Sequence, residues 1–225
     1  MYRLLLLLFL LPLQAAAQTS WLDSLGLTRL PLQNCTAVKN QFLSSTCWSF
    51  ASLSLLESEC IRNGHGAENL SEMFVARHSM VRKIERHLAL KGSNFFTPGG
   101  QFHDVVWVLK HEGMVPEAIY DGKARGEFQH NHAEMDTLLS HFVTACVAKG
   151  ITKLDKPLRA WTDSVLDYYY GKLPESFTWK GKKYTPRSYL TDYLQIQPDD
   201  FLEITSYSHH PFYTQFVLED KYNWT

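Results

Sequence analysis

One cysteine in this 225-residue chain stands where a thiol becomes a nucleophile. Cys47 follows Ser44, Ser45 and Thr46, all good N-cap types, and precedes Trp48, Phe50, Leu53, Leu56, Cys60 and Ile61 at helical spacing. The pattern predicts a buried helix with Cys47 at its start, where unpaired N–H groups and the positive dipole end favour a thiolate. Gln41 lies six residues earlier in an irregular stretch, so its side-chain amide can fold back beside the Cys47 N–H. Two such donors would stabilise the oxyanion of a tetrahedral intermediate, the central demand of acyl transfer through a covalent enzyme.

The remaining cysteines, Cys35, Cys60 and Cys146, make no C-x-x-C pair and no disulfide scaffold. With Cys47 kept as nucleophile they allow at most one bridge and leave one thiol over, with no pairing favoured. Cys60 and Cys146 fall inside apolar helical patterns, where a buried inert thiol is an equal reading.

The stretch from Gln33 to Ala51, with Gln41 six residues ahead of Cys47-Trp48-Ser49-Phe50-Ala51, resembles the papain family of cysteine peptidases. Asn69-Leu70-Ser71-Glu72 looks like that family's Leu-Ser-Glu segment, and Gly99-Gly100 like its glycine pair. The run Leu70 to Arg77, Gly99 to Val105, Gly113-Met114-Val115-Pro116-Glu117, Leu202 to Ser206 and His210-Pro211-Phe212-Tyr213 is similar to the bleomycin hydrolase and bacterial aminopeptidase C branch. The likeness runs from about residue 33 to the last residue.

The resemblance implies peptide-bond hydrolysis through an acyl-enzyme on Cys47, with Gln41 as oxyanion donor and Trp48 packing the start of a central helix. Gly99 and Gly100 would let a peptide substrate's backbone approach; no cofactor or metal is implied. Three departures stand out: Phe42 follows Gln41 where the family has Gly, Ser44 replaces its first Cys, and Ser45 replaces its second Gly.

A thiol peptidase also needs a histidine to protonate the leaving amine and an Asn to orient it, about 130–150 residues after the cysteine in the papain type. His209, His210 and Asn223-Trp224 imitate this, but Ser208 to Tyr213 matches a segment that precedes the catalytic histidine in the bleomycin hydrolase branch. The expectation is therefore a complete helical left side and a β-rich right side only begun, with negligible turnover by residues 18–225 alone. The rival expectation is a catalytically silent truncated or split homologue that binds peptides or a complementary C-terminal half, or does nothing; the other expected partner is a second copy of the chain in a homo-oligomer.

The elements that must position these residues are legible in outline. Asn63-Gly64 closes the Cys47 helix, and Asn69 with Glu72 opens the next in capping-box style, with Phe74, Val81, Ile84 and Leu88 on one side. Its Arg82, Lys83, Arg86 and His87 read as a solvated face. Helices are expected from Phe102 to about Gly113, from about Met135 to Gly150, and over 156–170. Phe177 to Tyr184 reads as a hairpin turning at Lys180-Gly181, Thr185-Pro186 as a short helix start, and 201–206 and 212–218 as β-type runs. Helices first and strands last predict an α+β class with a papain-like arrangement.

Composition excludes other readings. Lys plus Arg number 22 against 23 Asp plus Glu, a net charge of −1, so there is no basic field for nucleic acid or an anionic bilayer. Residues 1–17 read as a signal peptide, with Arg3, the Leu4 to Leu11 run and Ala15-Ala16-Ala17, leaving 18–225 as one exported domain, secreted or periplasmic, with no membrane contact once the signal is cleaved. His130-Asn131-His132 reads as a solvated loop and no metal site, and His103-Asp104 as a helix-start and packing pair.

Overall fold

Five helices carry most of the order in the computed structural model, which describes residues 25–26, 34–202, 204 and 209–216. The first, α1 (Cys47–Arg62), buries Trp48, Ser49, Ser52, Leu53, Leu56, Glu57 and Cys60 along one stripe. It ends at Asn63-Gly64, where Gly64 takes a left-handed φ of +83° that suits glycine.

The second helix, α2 (Glu72–Ala89), is capped by Ser71, whose hydroxyl accepts from the Phe74 N–H at 3.0 Å. Asn69 is not the cap, because Leu70 pairs with Pro116 in an isolated antiparallel bridge and holds the chain extended until Ser71. The basic face of α2 is packed, not solvated. Lys83 and His87 are buried, the Arg82 guanidinium lies 4.4 Å from the Trp107 ring centroid, and His87 meets Asn94 at 3.0 Å. The helix has partners on that side too, so long cationic stems cover apolar surface there.

Helix α3 (Phe102–His111) opens with Asp104 Oδ2 accepting from the Gln101 N–H at 2.9 Å. His103 approaches Asp104 at 3.8 Å, so the helix-start pairing read from the sequence is present. The helix closes before Gly113, which has φ +91°. A Cβ on Gly113 would fall 2.4 Å from the Pro186 carbonyl, and it is this close approach that lets Met114 N–H donate to Pro186 O at 3.0 Å.

Helices α4 (Ala133–Ala148) and α5 (Lys156–Tyr170) follow, the latter capped by Asp155. The central position belongs to α2, which packs against α1, α3, α4 and α5; α1, expected at the centre, packs against α2 and α3. Arg77 of α2 ties α5 in place through Asp167 at 2.6 Å.

Strands β1 (Phe177–Trp179) and β2 (Lys182–Tyr184) form an antiparallel pair, Phe177 opposite Tyr184, around Lys180 and Gly181 at φ 47° and 81°. Two positive φ values in a two-residue loop match the expected hairpin turn. Thr185 caps α6 (Pro186–Ser188), which runs into a π-helical turn at Tyr189–Leu194 and a 3₁₀ turn at Pro198–Asp200. Tyr189 is fully buried among Phe177, Trp179, Tyr184 and Tyr193.

Among the described residues this hairpin is the one sheet, so the class is α+β with helices dominant. The expected β runs do not form where they are described: 201–202, 204 and 212–216 lie outside any strand, with Leu202, Ile204, Phe212 and Tyr213 exposed. The rest of those runs, and residues 1–17, lie outside the described residues. Among the described residues no helix is long and apolar enough to cross a membrane.

Candidate active site

The segment that delivers Cys47 is bent twice and pinned once. Asn40 Oδ1 accepts from the Phe42 N–H at 2.8 Å, and Phe42 adopts φ 50°. Leu43 then pairs in parallel with Asn131: its N–H donates to His130 O and its carbonyl accepts from His132 N–H, both at 3.0 Å. Ser45 turns the chain again at φ 56°. Buried Ser44 and Thr46 share a hydroxyl hydrogen bond of 2.5 Å, and the Thr46 carbonyl accepts from Ser49 and Phe50, starting the helix.

Phe42 and Ser45 are the two positions where the resemblance read from the sequence implies glycine. Both take the left-handed conformation that glycine reaches without a steric penalty. The backbone path that glycine would favour is thus kept by residues that must be held in it.

The pin is also a correction. His130 and His132, expected in a solvated loop, are 6% and 3% exposed. Burial pushes the His132 imidazole down to about 4 and lowers His130, which keeps both neutral beside the loop they anchor. His132 Nδ1 faces the Tyr170 hydroxyl at 3.4 Å. Among the described residues no group of three or more His, Cys, Asp or Glu side chains is placed to hold a metal.

Cys47 is the first residue of α1 and is exposed, in an open groove of about 420 Å³ lined by Val38, Lys39, Asn40, Gln41, Cys47 and Phe50. Gln41 and Cys47, paired from spacing alone, therefore share one groove. Gln41 Oε1 is buried without a hydrogen-bond partner. No histidine is among the described residues lining the groove, and His210 instead stacks on Phe216 at 3.8 Å between centroids.

Trp48 and Gly100 form a contact separate from the groove. The Trp48 indole N–H donates to Pro98 O at 3.1 Å, and a Cβ on Gly100 would lie 2.6 Å from two Trp48 ring carbons. Gly100 is what allows the indole to reach the Pro98 turn. Neither Gly99 nor Gly100 is among the residues lining the Cys47 groove.

The sequence reading missed the charges that hold the groove's other wall. Lys39 bridges Glu57 of α1 at 3.0 Å and Glu72 of α2, and donates to Asn69 at 2.8 Å, while Thr36 donates to Glu57. Leu70 N–H completes the Glu57 shell at 2.9 Å. Desolvation works to lower the Lys39 ammonium, but its bonds to Glu72 and Glu57 outweigh this and hold it above its usual range. Glu117 Oε2 is buried without a hydrogen-bond partner, and burial, reinforced by the Glu72 charge and only partly offset by Lys39, pushes the carboxyl up to about 8. One signal was readable: Glu57 is a carboxylate inside the apolar stripe of α1, a position that demands a partner.

All four cysteines are free; Cys35 and Cys47 are exposed, Cys60 and Cys146 buried. Compared with protein-family models and with curated proteins, the chain matches none of them.

Proposed function

We propose that the chain carries the nucleophile side of a papain-like cysteine peptidase of the bleomycin hydrolase and aminopeptidase C type. The observation that supports this most is the placement of an exposed Cys47 at the first residue of a 16-residue helix, in one groove with Gln41. In this reading the Cys47 thiolate attacks a peptide carbonyl, and the Cys47 N–H and the Gln41 amide hold the oxyanion. The C–N bond then breaks as the amine takes a proton, and water hydrolyses the thioester. The left-handed path at Phe42 and Ser45 supports the same backbone turn that the family's glycines provide.

The leaving amine needs an imidazole, and none lines the groove among the described residues, which favours a second reading, a catalytically silent peptide-binding homologue. Hydrolysis of fluorogenic aminoacyl and peptidyl amides by the purified chain and by Cys47→Ala separates the two. The expected result is background turnover with saturable labelling of Cys47 by a peptidyl iodoacetamide. Turnover lost in Cys47→Ala would establish the complete peptidase and require an imidazole within reach; labelling no faster or more saturable than at Cys35 would remove Cys47 from the chemistry.

A further inference from the structure

A second cavity, of about 330 Å³, lies between α2, α4 and the turn that precedes Gly99. Its apolar walls are Met80, Phe96 and Pro98, and its polar ones are Thr97, Asp136, Thr137, Ser140 and His141. The size falls at the lower end of the roughly 300–1,000 Å³ typical of small-ligand sites, with the usual apolar lining and few polar groups.

Two of its polar residues carry an unsatisfied atom, whereas the Thr137 hydroxyl donates to Ala133 O at 2.8 Å. Asp136 Oδ1 and Thr97 Oγ1 are both buried without a hydrogen-bond partner, and Asp136 makes no ion pair among the described residues. Burial alone pushes the Asp136 carboxyl up to about 6, and His141 is the one basic side chain among the residues lining the cavity with it. A buried carboxylate of this kind is best satisfied by a charge-assisted hydrogen bond from a cation. Met80, Phe96 and Pro98 would meanwhile cover an aliphatic stem, as apolar surface does for Lys and Arg generally.

We infer that this cavity is a subsite for an ammonium or guanidinium on an aliphatic stem, carried by a peptide, with Asp136 as the counter-ion and Thr97 and Ser140 as accepting neighbours. The inference deepens the peptidase reading and rests on it for the peptide. Pro98 lines the cavity and its carbonyl holds the indole of Trp48, the residue after Cys47, so an occupant would sit against the same turn that positions the thiol. The cation is either a Lys or Arg side chain or the peptide's own N-terminus.

The test is an NMR titration of the full chain with tripeptides bearing Lys, Arg or norleucine at one position, each with a free or an acetylated N-terminus. Lys or Arg peptides binding at least tenfold tighter than norleucine peptides would place the side chain in the cavity; a tenfold loss on acetylation of the norleucine peptide would place the N-terminus there. In Asp136→Asn the preference should fall to about onefold while the acetylated norleucine peptide binds as before. Should circular dichroism show that variant unfolded, Thr97→Val replaces it, with an expected threefold or greater loss of preference. Equal affinity across all six peptides, or a preference untouched by the variant that folds, overturns the subsite. Binding is read without turnover, so a failure to hydrolyse or to label Cys47 leaves these affinities unchanged and counts against the peptidase reading alone.

Discussion

Cys47 and Cys60 stand at opposite ends of one helix, and the surroundings of each make them different chemical objects. Cys47 opens α1 at the surface of a groove, behind a strained and pinned approach. Cys60, in the last turn, is 1% exposed, and burial together with the Glu68, Glu57 and Glu59 charges pushes its thiol up to about 11. Spacing placed both on the same apolar helix pattern; what separates them is which end of the helix meets the interior and how many carboxylates the fold gathers there.

The largest consequence is in reactivity. A thiol titrating near 11 is about one-thousandth thiolate at pH 8, and only the thiolate reacts. Native chain treated with iodoacetamide at pH 8 should therefore modify Cys47 at least about 100-fold faster than Cys60. Cys35, exposed but outside any helix, should fall between them. Peptide mapping by mass spectrometry gives the three rates, and in strong denaturant they should converge to within a few-fold. Comparable native rates at Cys47 and Cys60 would erase the contrast between the two ends.

A smaller effect tests what supports the reactive end. Gly100→Ala would put a methyl group 2.6 Å from the Trp48 ring, so the indole or the Pro98 turn must move. Overpacking of this kind costs about 1–3 kcal/mol. The urea midpoint should drop accordingly, the Trp48 to Pro98 hydrogen bond should weaken, and the alkylation rate of Cys47 should change while Cys60 stays protected. An unaltered midpoint would mean that the Trp48 contact contributes nothing to holding α1 in place.

The same contrast explains what was legible in the chain. Features set by local spacing were readable: the ends of α1 at Thr46 and Asn63-Gly64, the helices over 102–111, 133–148 and 156–170, and the Lys180-Gly181 hairpin. Features set by what packs across from a segment were not. His130 and His132 look like polar loop residues until Leu43 pairs across Asn131, and Lys83 and His87 look like a wet face until α3 and the 94–96 turn cover them. Asn69 and Ser71 are both good caps, and only the Leu70 to Pro116 bridge decides between them. For the site, the Gln41 to Cys47 pairing followed from six residues of spacing, whereas Lys39, Glu57 and Glu72 come from three distant segments, and nothing local announces that they meet.

The finest test concerns strain at the two ends of α1. Gly64 takes a left-handed φ after the helix at no steric cost, but Ser45 takes φ 56° before it with a side chain attached. A left-handed residue other than glycine is disfavoured by about 1–2 kcal/mol, and a glycine's extra unfolded-state freedom returns about 0.5–1 kcal/mol of that. Ser45 is exposed, so its side chain loses little packing on removal. Ser45→Gly should therefore raise the unfolding free energy by up to about 1 kcal/mol, and Ser45→Val, β-branched at a positive φ, should lower it by more than that. Phe42→Gly would not report as cleanly, because Phe42 is half-buried and would lose ring contacts along with strain. A loss of stability in Ser45→Gly would show that the seryl side chain itself, through contacts made at the mouth of the groove, holds the turn ahead of Cys47.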